Sequence, residues 1–118
     1  MDWVASIHQA IQYIEEHLRE ELTIREIAQQ AALSPFYFQK GFAMLCGMTA
    51  GDYIRQRRLS AAGLEVLTTD RKIIDIALEF GYDSPDSFTK AFVRFHGLTP
   101  ATLRKRRRRG PLLCSASN

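Results

Sequence analysis

Apolar residues recur at three- and four-residue spacing along almost the whole chain, with no strand-like alternation. Trp3, Ile7, Ile11, Ile14 and Leu18 keep that spacing, which predicts an amphipathic helix from Trp3 to about residue 19 with Asp2 as its N-cap. Thr23 and Glu26 stand at capping-box distance and open a short helix at Ile24, with Ile27, Ala28 and Ala31 inward. Ser34-Pro35 reads as an N-cap followed by proline at the first helical position, and Gly47 stops the helix it starts. Thr49 and Asp52 repeat the capping signature and open a long helix to about Thr68. After a turn at 69–72, Ile73, Ile74, Ala77, Leu78 and Phe80 begin another short helix that Gly81 breaks. Ser84-Pro85 starts its partner, which runs to about His96 and stops at Gly97, and Thr99-Pro100 opens a short closing helix. The predicted fold is all-α, with about seven helices.

The pattern occurs twice. Ser-Pro, Phe, Lys, Phe, Gly and Thr of the segment from Ser34 to Thr49 recur at an offset of 50, from Ser84 to Thr99. The leading Ile27-Ala28 recurs at 49, as Ile76-Ala77, because the second copy holds one extra residue, Asp83, in its turn. A duplicated short helix, tight turn and second helix is the layout of paired helix-turn-helix units. The expected organisation is an N-terminal helix-turn-helix subdomain at 1–48, a linker helix at 49–68 and a C-terminal helix-turn-helix subdomain at 69–105. A basic, disordered tail is expected at 106–118.

On a wheel of ~100° per residue, Phe38, Phe42 and Leu45 fall on one stripe, and Gln39 and Lys40 fall beside Phe36 on the other side. Phe88, Phe92 and Phe95 likewise oppose Asp86, Thr89 and Lys90. Each second helix is thus expected to be anchored by aromatics and to offer an outward face of hydrogen-bonding groups, which is what a groove-reading helix needs. Gln39 suits adenine, Lys40 and Lys90 suit guanine or phosphate, Phe36 suits a thymine methyl, and Asp86 suits a cytosine amine. The candidate DNA-contacting residues are Pro35, Phe36, Gln39, Lys40, Pro85, Asp86, Ser87, Thr89, Lys90 and Arg94. The same faces also suit the solvated exterior of a helical protein-interaction module without DNA specificity.

Charge adds less than the total suggests. The net charge is +3, but six of the sixteen basic residues lie at 104–109, leaving ten against thirteen acidic ones. The case for nucleic acid therefore rests on where charges sit. The arginine run itself fits a non-specific contribution to DNA attraction. No apolar run approaches the ~20 residues of a membrane span, so no membrane partner is expected. Cys46 and Cys114 are too few for a zinc motif or a disulfide framework, Cys46 reads as a small core residue, and a reducing cytoplasm fits. His8 and His17 fall on the first predicted helix and His96 on a later one, without metal-pair or nucleophile spacing, so neither an enzyme nor a cofactor is expected.

The stretch from Ile76 through Phe80-Gly81-Tyr82-Asp83-Ser84, then Phe88-Thr89-Lys90-Ala91-Phe92 and Gly97-Leu98-Thr99-Pro100, resembles the C-terminal signature of the AraC/XylS family of bacterial transcription regulators. The resemblance covers about residues 4–105. It implies a sequence-specific, double-stranded-DNA-binding regulator, an activator type, with two helix-turn-helix units joined by a long helix and reading two adjacent major-groove segments. RNA polymerase and an effector-binding domain, for which 118 residues leave no room, are the further partners it implies. Ala32 stands where the family often has glycine, which implies a tightened or strained turn. Leu103 replaces a usual aromatic, so the closing helix is expected to pack less firmly. Lys40 and Lys90 replace arginines, exchanging a planar fork for a point charge.

Overall fold

The computed structural model describes residues 2–108 and contains seven helices and no strand among them. They are α1 (Trp3–Glu16), α2 (Ile24–Gln30), α3 (Pro35–Cys46), α4 (Ala50–Thr68), α5 (Ile73–Glu79), α6 (Pro85–His96) and α7 (Pro100–Arg108). Six of the seven start where a side chain caps a free backbone N–H, and α5 follows Lys72, which makes no side-chain cap bond. Asp2 accepts from the Ala5 amide, Ser34 from Tyr37, Thr49 from Asp52 and Ser84 from Ser87, all at 3.1–3.2 Å. Thr23 and Glu26 form both halves of the capping box. The chain divides into two compact units between Arg58 and Leu59, a point inside the helix read as a linker.

In the first unit α1, α2 and α3 pack on one another. Ile7, Ala10, Ile14, Leu18, Ile27, Ala28, Ala31, Phe38 and Phe42 are buried, and the Phe42 ring meets Phe38 and Tyr53 edge-on. Gly41 is required by a close approach: a Cβ there would lie 2.2 Å from the Trp3 ring. In the second unit Leu59, Ala62, Val66, Ile76, Ala77, Phe80, Phe88 and Phe92 form the core, with Ile73, Tyr82, Ala91 and Leu103 packed against it. Cys46 is half-buried rather than a core residue, and burial pushes its thiol up.

The two helix-turn-helix turns close with the same pair of bonds. Ala32 and Leu33 donate to Gln29 and Ala28 carbonyls, as Gly81 and Tyr82 donate to Leu78 and Ala77, all at 3.0–3.1 Å. That geometry needs a left-handed residue. Gly81 adopts φ 91° freely, whereas Ala32 is held at φ 58°, the one non-glycine with positive φ among the described residues. A Cβ in this region costs roughly 1–2 kcal/mol, partly offset in Gly by its greater unfolded-state entropy. Ala32→Gly should therefore stabilise the first unit by about 1 kcal/mol, read as a rise in the denaturant midpoint at unchanged slope.

A polar cluster fastens α4 to α1 within that unit. Arg57 grips Glu15 with two bonds of 2.7 and 2.9 Å, and the Tyr53 hydroxyl donates to the same carboxylate at 2.8 Å. The Arg57 bonds hold the Glu15 carboxyl below its usual range. Burial, then the Glu15 bond, pushes the Tyr53 phenol up to about 12. A depressed carboxyl contributes stability above its unfolded pKa and loses it as pH falls through the folded value. A raised phenol contributes below its ordinary value of 10.0 and loses that contribution as pH rises toward about 12. Thermal unfolding across pH should show both limbs, and Tyr53→Phe should remove the alkaline one and shrink the acid one, because the Tyr53 bond also helps hold the Glu15 carboxyl down.

The closing helix continues through part of the segment expected to be a disordered tail. Arg104 donates to the Val66 and Arg71 carbonyls at 3.1 and 2.6 Å. Arg107 donates to Leu67 and Thr69 carbonyls at 3.1 and 2.9 Å and to the Asp70 carboxylate at 2.7 Å. These acceptors are the orphan carbonyls at the end of α4 and the turn that follows, so two arginines of the run act as a C-cap supplied from another helix. Leu103 packs beside them, so apolar contact and the arginine bonds together hold α7. The expected tail from residue 109 onward, Arg109 and Cys114 included, lies outside the described residues.

Candidate nucleic-acid interface

Both second helices present the expected division of faces. In α3, Phe38 and Phe42 are fully buried while Pro35, Phe36, Gln39 and Lys40 are exposed, Phe36 at 63%. In α6, Phe88 and Phe92 are fully buried while Pro85, Asp86, Lys90 and Arg94 are exposed. The prolines occupy the first turns, where a missing N–H costs nothing.

The two faces differ in how their lysines are engaged. Lys40 Nζ lies 5.4 Å from the centroid of the Phe36 ring, a cation–π distance. Fifty positions on, Lys90 Nζ instead pairs with the Asp86 carboxylate at 3.1 Å, both side chains being largely exposed. The lysine thus returns to the residue four before it in each copy, an aromatic in one and a carboxylate in the other. Such an exposed pair contributes at most about 1 kcal/mol, so either charge is readily released to a ligand.

Ser87 and Thr89 are half-buried. The Ser87 hydroxyl donates to the Ser84 carbonyl at 3.1 Å and accepts from the Ser84 hydroxyl at the same distance. Ser87 is therefore occupied in the cap of α6, more than the wheel suggested.

Two apolar expectations do not hold. Leu45 is 51% and Phe95 41% exposed, although both fall on the inward stripe. They sit in the last turns of their helices. At the end of α6 the inward place is taken by His96, whose Nε2–H donates to the Leu59 carbonyl at 2.8 Å and whose ring meets Phe92 at 4.3 Å. At the end of α3, Leu45 lines an open groove with Trp3.

Sequence reasoning missed Tyr37, 57% exposed at the start of α3 with its ring edge-on to Phe36 at 5.4 Å. Its position one residue outside the wheel's polar sector concealed it. Arg57, Arg58, Arg104 and Arg107 are engaged by the protein itself, Arg58 donating to the Leu18 and Glu20 carbonyls at 2.9 and 2.7 Å. Counting basic residues therefore overstates the charge open to a phosphate backbone. Among the described residues no helix is long and apolar enough to cross a membrane.

The comparisons with known proteins agree with the all-α fold. The helix-turn-helix domain family matches residues 27–106. The regulatory protein SoxS of Escherichia coli (strain K12) is 41% identical over 100 residues, covering 85% of this chain and 94% of that protein. The chain belongs to the AraC/XylS family of helix-turn-helix transcription regulators. A second relative, the HTH-type transcriptional activator AarP of Providencia stuartii, is 37% identical over 98 residues, 83% of this chain and 73% of that protein. Among solved structures, the DNA-binding domain of AdpA in complex with a target DNA superposes with a TM-score of 0.81 at 26% identity, covering 91% of this chain and 97% of that one. An AraC-type regulator from Chromobacterium violaceum shares the AraC/XylS fold with a TM-score of 0.82 at 23% identity.

Proposed function

We propose that this chain is a DNA-binding transcription regulator that reads two adjacent major-groove segments of one duplex, α3 entering one and α6 the other. The observation that carries the reading is the duplicated division of faces: the same serine cap, first-turn proline, buried phenylalanine pair and exposed polar face in two units of one chain. Phe36, Gln39 and Lys40 are the contacts proposed for the first segment, and Asp86, Thr89, Lys90 and Arg94 those for the second. Pro35, Pro85 and Ser87 set and cap the helix starts that approach the backbone. Two reading helices in one chain remove the need for a symmetric dimer, so the proposed site is asymmetric, about 20 base pairs long, and bound by a monomer. RNA polymerase is the partner proposed for an activator role, and an effector-binding domain is a further one. No catalytic step enters this reading.

The faces should differ in what they contribute. Gln39→Ala should weaken preferred sites by about 1–3 kcal/mol and relax the preference locally, as loss of a base contact does. Asp86→Ala should preserve or raise overall affinity while loosening selectivity at the second segment, because it releases Lys90 and removes a carboxylate that phosphates repel. Gel-shift titrations on matched and mismatched duplexes check both. Equal loss on every sequence for Gln39→Ala would remove it from the reading face, and a large sequence-independent loss in a folded Asp86→Ala chain would make Asp86 a helix-orienting residue.

A further inference from the structure

The exposed start of α3 joins an aromatic ring and a cation in one unit. The Phe36 ring stands open to solvent, held edge-on against Tyr37 at 5.4 Å, and the Lys40 ammonium lies over it, 5.4 Å from its centroid. The lysine therefore folds back toward the first turns of its helix, where a reading helix meets base edges. An open ring under a cation offers two chemistries side by side: an apolar edge, and a point donor a few ångströms from it. In the second unit the lysine folds back in the same way, but onto a carboxylate, Lys90 Nζ lying 3.1 Å from Asp86. Both helices start from a serine cap and a first-turn proline, so the two copies differ here in side chains alone.

In the major groove the apolar group on a base edge is the methyl on C5 of a pyrimidine, and guanine presents two acceptors, O6 and N7. Successive bases of a strand stack about 3.4 Å apart. The methyl of one base and the acceptors of the next thus lie within the span set by the Phe36 ring and Lys40 Nζ. Pyrimidine–purine steps also kink and unstack easily, which opens the pyrimidine edge to a ring. A phosphate would engage the lysine but leave the phenyl ring bare in the groove, whereas a methyl covers it. We propose that α3 reads a 5-methylpyrimidine followed by guanine on one strand, Phe36 taking the methyl and Lys40 Nζ donating to guanine O6 and N7. A cytosine bearing a C5 methyl then serves in place of thymine, so C5 methylation of a cytosine–guanine step raises occupancy of the site. The proposal deepens the DNA-binding reading above and rests on it; a methyl mark becomes an input that the order of bases does not contain.

Two matched exchanges isolate the methyl: thymine against deoxyuridine, and 5-methylcytosine against cytosine, each pair differing by one methyl with base pairing unchanged. The full chain is titrated by gel-shift on duplexes selected from random sequence, each pyrimidine that precedes a guanine being exchanged in turn. One such step is expected at which either methyl tightens binding about three- to fivefold, the gain for burying one methyl-sized group. Phe36→Ala, at an exposed position, should bind the duplexes with and without the methyl equally. At the guanine that follows, 7-deazaguanine, which lacks the N7 acceptor, should weaken the original chain and leave Lys40→Met unchanged. Selected duplexes without a pyrimidine–guanine step overturn the proposal and leave the DNA reading in place. Equal binding with and without the methyl at every such step, or a methyl gain that persists in Phe36→Ala, does the same. A chain that binds selected and random duplexes equally overturns both readings.

Discussion

Phe92→Ala should cost about 3–5 kcal/mol of stability and leave the second unit largely unfolded at ordinary temperature. Phe92 is fully buried, and its ring touches Phe88 at 5.4 Å and His96 at 4.3 Å. Truncation removes the transfer free energy of the ring and leaves a cavity between α6 and the core residues of α4 and α5, which helices cannot close without breaking their caps. His96 would lose its stacking partner while keeping the bond to Leu59, so α6 would loosen first at its C-terminal end. Denaturant unfolding followed by circular dichroism measures the effect. A loss below ~1.5 kcal/mol would show that the second unit is not built around this ring pair.

Arg107→Ala should be the next largest, at about 1–3 kcal/mol, because it leaves the Leu67 and Thr69 carbonyls at the end of α4 without their charged donor. Exposed neighbours on the same helix should behave oppositely. Lys105→Ala and Arg106→Ala should leave stability within about 0.5 kcal/mol of the original, since they are solvent-exposed. Their effect should appear in the salt dependence of DNA affinity, where each lost phosphate contact lowers the slope by about 1. Unfolding midpoints and salt titrations on the three variants distinguish the roles. Equal stability in all three would return Arg107 to the solvated basic run.

What was legible in the sequence is local chemistry at fixed spacing. The caps at Asp2, Thr23, Ser34, Thr49 and Ser84 act over three residues, so their spacing alone locates the helix starts. The strain at Ala32 was legible through the family resemblance, which often has glycine at that turn position. Contacts that close over long separations were not. The arginines that cap α4 reach acceptors about forty positions earlier, and nothing in a basic run says which of its members turn inward. A helical wheel likewise gives the direction of Leu45 and Phe95 but not whether any element lies there to cover them. The wheel placed Asp86 and Lys90 on one face, yet their mutual pairing emerged only from the structure.

Two reading helices in one chain should engage two major-groove segments of a single duplex. Methylation interference at guanine N7, which lies in the major groove, on a duplex selected from random sequence, with the stoichiometry of the same complex measured by sedimentation, decides this. One chain per duplex is expected, with two clusters of interfering guanines whose centres lie about 10 base pairs apart and are unrelated by symmetry. A single cluster, or a required palindrome occupied by two chains, would contradict it.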